Sequence, residues 1–328
     1  MPLLDAFEVG RWKRPHVVIA MGKGGVGKTT VSIRVGLELS SMGWRVLLAS
    51  MDPAGHLLEY LRLPGPLREV EVSPGLRAVQ YAIEPLAEKV AREYGLMLKR
   101  LMPALNALGS LDVEKAVRQA PGFEEEVFLR ILYDLYRRED VDAVVIDTPP
   151  TGVSLRVLRL PGLYLFWVRQ LRELRERIIA TKYAIARALG NLDDLEKRDP
   201  VLEKLAEMRR RYEWLRGQLQ DPSRTSLAVV ATPEPLPVYE AREVAKASVE
   251  LGVRLEAVVA NRVLGERARE LGVEEVERES LRRLEEIRCS VKPPAGMAII
   301  RYADRPTSSL RDVEALTPLI EAKPPGRC

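Results

Sequence analysis

The chain has 328 residues, and 51 Lys and Arg against 47 Asp and Glu leave a formal net charge of +4. That length can bury a substantial core in one large α/β domain or two ordinary ones, while so small a basic excess makes no case for nucleic acid as a partner. The two cysteines, Cys289 and Cys328, have neither the spacing of a secreted disulfide framework nor that of a zinc finger. They read as separate, inert thiols of a reducing interior. With no signal-peptide pattern and no run of about 18 apolar residues, the sequence reads as cytoplasmic.

In chain order, His16–Ala20 (HVVIA) is a continuous apolar, largely β-branched run, as expected of a strand buried on both faces. It breaks into GKGGVGKTT and then into a helical pattern. Gly22, Lys23, Gly24, Gly25, Val26, Gly27, Lys28 and Thr29 fit G-x-x-x-x-G-K-[ST]. Such a turn lets backbone N–H groups form an anion nest at the positive end of the following helix, and glycine is needed because side chains would block the approach. Lys28 is expected to reach the β- and γ-phosphates of a nucleotide, Thr29 to ligate Mg²⁺ and Thr30 to hydrogen-bond a neighbouring phosphate. Lys23 reads either as a solvated lysine or as an added cation where phosphoryl transfer develops negative charge.

The next apolar run, Trp44–Ser50, is followed by MDPAGHLLEY. Asp52 there either positions an attacking water and contributes to the magnesium site through water, or serves as the N-cap of a helix, since Asp-Pro is also a good helix start. His56 reads as a helix-start or solvated residue. Residues 84–138 hold more helix than a crossover needs; in them Leu98, Leu101, Met102, Leu105 and Leu108 recur at helical spacing, broken at Pro103. Asp147 closes the run DAVVID at a strand end, where an α/β sheet places its ligands, and is expected to hold Mg²⁺ directly or through water. Residues 160–220 form a second helical stretch, and LYLFWV (Leu163–Val168) is apolar all round. That run is open to ordinary packing or to an exposed groove for an apolar helix. Strand runs at Leu227–Thr232 and Glu256–Asn261 complete the pattern. The fold class is therefore α/β: a P-loop NTPase with a doubly wound, mainly parallel sheet flanked by helices. It is read as a single ATPase domain over 1–328, with 84–138 and 160–220 as an inserted helical subdomain.

Several segments together resemble one family, the arsenite-pump and tail-anchored-protein-targeting (Get or TRC) ATPases. GKGGVGKTT resembles their deviant Walker A signature, DPAGHL their first switch and DTPPTGVSLRVLRLP, Asp147 to Pro161, their second. APGFEEEVFLRIL, LQDPSRTSLAVVATPEPLPVYEARE and VVANRV are similar to further segments in the same order, so the likeness runs from about Val17 to Val263. The resemblance implies ATP and Mg²⁺ as cofactors and a homodimer in which Lys23 reaches the partner's nucleotide. It further implies Asp52 as the catalytic aspartate and Asn261 as the adenine reader. Its clients would be hydrophobic tail-anchor helices, delivered to a membrane receptor by a cytoplasmic protein that is peripheral to the membrane during delivery. Gly55 departs from the family pattern by replacing a histidine of the first switch, and Val153 by replacing a polar residue of the second. No CxxC follows Asn261, so no zinc clasp is expected. Two cysteines are few for a thiol metalloid site, which disfavours the alternative of an arsenite or anion pump subunit. A partition or positioning ATPase would need a basic amphipathic C-terminal helix, which SLRDVEALTPLIEAKPPGRC supplies poorly.

Overall fold

The apolar runs become the centre of a nine-stranded sheet in the computed structural model, which describes residues 2–101, 112–120, 122–188, 199–303, 307–326 and 328. The strands are β1 (His16–Met21), β2 (Val46–Ser50), β3 (Val70–Ser73), β4 (Leu76–Gln80), β5 (Ala143–Asp147), β6 (Thr225–Ala231), β7 (Leu255–Val263), β8 (Gly296–Arg301) and β9 (Ile320–Lys323). Their order is β3-β4-β2-β5-β1-β6-β7-β8-β9, parallel from β4 to β8 and antiparallel at both rims. The expected doubly wound α/β fold is what forms. The helices are α1 (Lys28–Ser41), α2 (His56–Leu61), α3 (Ile83–Leu101), α4 (Val113–Arg118), α5 (Phe123–Tyr136), α6 (Thr151–Ala188), α7 (Pro200–Gln220), α8 (Pro235–Leu251), α9 (Arg267–Glu270), α10 (Glu274–Ser290) and α11 (Leu310–Glu314). Met102, Pro103, Leu105 and Leu108, singled out from the sequence, lie outside the described residues.

By internal packing the chain divides into two compact units, one of residues 1–82, 130–157 and 218–328 and the other of 83–129 and 158–217. The first holds the sheet. Every residue of β1, β2, β5 and β6 is buried, because helices cover both faces of a parallel sheet. Its core also takes in Leu3, Leu4, Phe7 and Trp12 from the N-terminal segment. Leu3 and Leu4 donate their backbone N–H groups to the buried Glu38 carboxylate, which also pairs with Arg34 at 2.8 Å. The second unit is helical. At its centre the buried Glu126 accepts hydrogen bonds from the Tyr94 hydroxyl at 2.8 Å and the Tyr212 hydroxyl at 3.3 Å. Val168, Val201 and Leu205 form a separate apolar cluster, with Leu171 and Met208 packed on it.

Where β1, β6 and β7 begin, a buried polar chain ties the strands together. His16 Nδ1 lies 2.9 Å from the Ser223 carbonyl and Nε2 lies 2.8 Å from Ser226 Oγ, which in turn contacts Glu256 Oε2. Because a carbonyl can only accept, Nδ1 carries the proton and Nε2 accepts from Ser226. Burial pulls the His16 pKa from 6.5 to about 3 and raises that of Glu256, so both groups favour their neutral forms. A histidine held neutral stabilises the fold fully above the unfolded value of 6.5, and this contribution is lost as pH falls through the window from 6.5 toward 3. Glu256 has the opposite slope above its ordinary value, and comparison with a His16 variant cancels it. Between pH 7 and 5, the wild type is therefore expected to lose about 2 kcal/mol more unfolding free energy than His16→Gln. Urea titrations at the two pH values test this, and parallel losses would remove His16 as the source.

The structure corrects the reading of the cysteines as separate thiols. Cys289, near the end of α10, forms a disulfide with Cys328. Strand β9 runs back antiparallel to β8 and returns the end of the chain to α10, a closure that no cysteine-spacing rule encodes.

Candidate functional site

Met21 ends β1 in the middle of the sheet, with β5 on one side and β6 on the other, and the glycine-rich turn follows it directly. Gly22 is dictated by space, and Gly27 by its backbone conformation together with a close side-chain neighbour. A Cβ on Gly22 would lie 2.1 Å from the Val230 carbonyl oxygen, and one on Gly27 would lie 2.2 Å from Asn261 Nδ2. Gly27 also has φ +91° and is the N-cap of α1, so the turn passes directly into a helix of 14 residues. The N-terminal amides of that helix lack intrahelical partners and can accept an anion.

Lys28 is buried and donates from Nζ to the Lys23 carbonyl at 3.2 Å. Burial pulls its pKa below the ordinary lysine value, and the carboxylates of Asp147, Asp52 and Glu240 act against that pull. An entering phosphate would add to the carboxylates and stabilise the ammonium further. The structure gives the Lys23 carbonyl this local role. Thr30 Oγ1 lies 3.3 Å from the Tyr60 hydroxyl, which also donates to Thr307.

Asp147 is fully buried at the end of β5, in register with Ala20 of β1 and Ser50 of β2. Its Oδ2 accepts hydrogen bonds from Thr29 Oγ1 at 2.7 Å and Ser50 Oγ at 3.4 Å, while Oδ1 is buried without a partner. Burial pushes its pKa up to about 6. A buried carboxylate oxygen with no donor, beside a threonine hydroxyl at a phosphate loop, fits a hard divalent cation such as Mg²⁺, which takes oxygen ligands. Thr29 and Asp147 would hold that ion, and it would supply charge neutralisation to a transferring phosphoryl group.

Asp52 is not the N-cap of α2, a position taken by Gly55 in the left-handed region. Its Oδ1 accepts from the Ala54 amide at 3.1 Å, and Oδ2 lies 3.8 Å from His56 Nδ1. Gln80 donates to the Asp52 carbonyl at 2.9 Å, which holds the backbone of this loop to the end of β4. His56 begins α2 and is exposed. Asn261, expected to face adenine, is buried and donates from Nδ2 to the Val26 carbonyl at 2.8 Å. The next residue, Arg262, donates to the Gly25 carbonyl at 3.1 Å. Sequence reading passed over Ser50, Tyr60, Gln80 and Arg262. None belongs to a motif with a stated mechanism; Ser50, Gln80 and Arg262 sit at or near the ends of β2, β4 and β7, and Tyr60 lies on α2. A cavity of about 710 Å³ lined by Trp12, Gln220, Val253 and Leu255 lies where β6 and β7 begin, and the phosphate loop follows the opposite end of β1.

Thus a strand, a glycine turn with its amides at a helix start, a buried lysine and a buried strand-end aspartate converge as nucleoside triphosphate hydrolysis requires. A family profile described as Anion-transporting ATPase matches residues 15–293. The chain belongs to this family. Within it, the chain is 30% identical over 260 residues to the arsenical pump-driving ATPase of Acidiphilium multivorum, covering 77% of this chain and 40% of that protein. It is 26% identical over 244 residues to the ATPase ASNA1 homolog of Dictyostelium discoideum (74% and 70%) and 25% identical over 258 residues to ATPase GET3C of Arabidopsis thaliana (74% and 66%). A further relative, from Aquifex aeolicus, is matched over 64% of its length, so the chain spans less than two thirds of several relatives it matches. The resemblance to arsenite-pump and Get-type ATPases is borne out.

Proposed function

We propose that this protein is a Mg²⁺-dependent ATPase that works as a homodimer, captures the apolar helices of tail-anchored membrane proteins and delivers them to a membrane. The observation that carries this reading is a line of exposed apolar side chains on α6. Leu163, Trp167, Leu174, Ile178 and Ile185 are 49, 52, 55, 39 and 55% exposed. At 100° per residue they fall within a sector of about 60°, one continuous face running about 33 Å at 1.5 Å per residue. That is the length of an apolar helix that spans the roughly 30 Å hydrocarbon core of a bilayer. An exposed apolar face of this extent marks an interaction surface in a soluble fold. Among the described residues no helix is itself long and apolar enough to cross a membrane. The chain enters α6 at Thr151, the fourth residue after Asp147, which supports a link between nucleotide state and the helix that bears the stripe.

In this scheme Lys28 and the loop amides bind the phosphates, Asp52 orients the attacking water, and Lys23 reaches the nucleotide of the second subunit. The names of several relatives favour a second reading, a pump-driving ATPase activated by metalloid. Both cysteines of the chain are held in the disulfide, which leaves no thiol for such a ligand while the bond is intact.

The test is capture of a synthetic tail-anchor helix by the Asp52→Asn protein in ATP and Mg²⁺, compared with the same protein carrying Trp167→Ser, Leu174→Ser and Ile178→Ser. Losing three large apolar contacts is expected to weaken capture at least about a hundredfold, with nucleotide binding as the control for folding. Equal capture by both proteins, or none by either, would overturn the client reading.

A further inference from the structure

The end of β7 contains a backbone conformation that its sequence does not favour. Arg262 has φ +60°, in the left-handed region that a residue with a side chain seldom enters. The pairing of β7 with β8 shifts register between Asn261 and Val263, so Arg262 is the extra residue of a bulge. Conformations of this kind persist where the surroundings hold them, and they cluster at functional sites. Here the bulge turns an exposed guanidinium toward the phosphate loop, where Nη1 donates to the Gly25 carbonyl at 3.1 Å. Asn261 immediately before it donates to the Val26 carbonyl at 2.8 Å. Two adjacent residues of β7 therefore hold two adjacent carbonyls of the loop.

The consequence follows from peptide geometry. The Gly25–Val26 and Val26–Gly27 bonds are trans, and in a planar trans peptide the C=O and N–H point in opposite directions. Holding the Gly25 and Val26 oxygens toward β7 turns the N–H groups of Val26 and Gly27 away from it, as donors for an anion on the other side. Among the described residues Arg262 has no carboxylate within ion-pair distance.

We propose that Arg262 is a positioning residue for ATP: its guanidinium fixes the Gly25–Val26 peptide so that the loop amides are aimed at the nucleotide phosphates before the nucleotide arrives. Donors oriented in advance need no reorganisation on binding, which is where preorganisation contributes affinity. This inference rests on the phosphate loop as the ATP site and is independent of the client reading.

The test measures the ADP dissociation constant and the melting temperature of the wild type, Arg262→Gly, Arg262→Lys and Arg262→Ala. Losing a charge-assisted hydrogen bond that orients the loop is expected to weaken ADP about tenfold in Arg262→Gly and Arg262→Ala. Glycine adopts φ +60° without a steric penalty, so Arg262→Gly should melt no lower than wild type while binding ADP less tightly. Arg262→Lys keeps a cation of similar reach and should recover most of the affinity. A merely structural arginine would instead lower melting temperature and affinity together in all three variants, and that result would overturn the proposal, as would Arg262→Gly binding ADP as tightly as wild type. Failure of the wild type itself to bind ADP would overturn the assignment of the loop, and this inference with it.

Discussion

Lys28→Ala is expected to lower kcat for ATP hydrolysis about a thousandfold or more, the scale on which positioned charges act in phosphoryl transfer. Lys28 is the buried cation at the start of α1, and its ammonium stands within the field of Asp147, Asp52 and Glu240. Among the described residues its hydrogen-bond acceptor is the Lys23 carbonyl. A side chain kept charged against the pull of burial gains most when negative charge builds beside it, as it does on the equatorial oxygens of a transferring phosphoryl group. The fold should tolerate the change. Asp147, already raised to about 6, can take up a proton once its neighbouring cation is gone, so no bare buried carboxylate remains. Phosphate release under single-turnover conditions checks the first half of this expectation and a thermal melt the second. Hydrolysis within tenfold of wild type would show that Lys28 does not face the transferring group.

The disulfide should produce the largest stability effect. Cys289 and Cys328 are 39 positions apart, and by the chain-entropy argument closing a loop of that length removes about 4 kcal/mol of unfolded-state freedom. For a chain of 328 residues this corresponds to a melting temperature about 6 °C lower after reduction. Calorimetry with and without dithiothreitol measures it, and Cys289→Ser should melt like the reduced wild type and ignore the reductant. If oxidised and reduced protein melt together within 1 °C, the bond contributes nothing to stability. The bond also bears on compartment. Intracellular disulfides are rare in mesophiles and frequent in hyperthermophiles, and ion-pair networks of the kind formed here by Arg77, Arg138, Glu69 and Asp140 are a second feature of thermophile proteins.

The sequence exposed the centre of the fold and hid its periphery for physical reasons. β1, β2, β5, β6 and β7 are buried on both faces, and burial forces continuous apolar runs that can be read without structure. β3 (VEVS) and β9 (IEAK) mix charged or polar residues with apolar ones over four positions, because a rim strand answers to solvent as well as to the core, and the apolar run of β4 (LRAVQ) is interrupted by Arg77 and closed by Gln80. The same division holds at the candidate site. The spacing of Gly22, Gly27, Lys28 and Thr29 is legible because backbone approach, charge and hydroxyl must come in fixed order. The position of Arg262 depends on a bulge and a positive φ, neither of which an arginine in a strand pattern announces. Asp52 shows the intermediate case. Its residue type left two roles open, and the left-handed Gly55 at the cap position removes one of them.

The rims of the sheet also constrain how two copies can meet. β3 and β9 are four residues each, run against their neighbours and carry Glu71, Glu321 and Lys323, while β3 is further disturbed by an irregular register with β4. Short, charged and irregular border strands resist the addition of a strand from another molecule. A second copy cannot prolong this sheet without confronting those charges. Self-assembly is therefore steered toward loops and helices, and uncontrolled growth into a shared, ever-widening sheet is discouraged by the architecture itself.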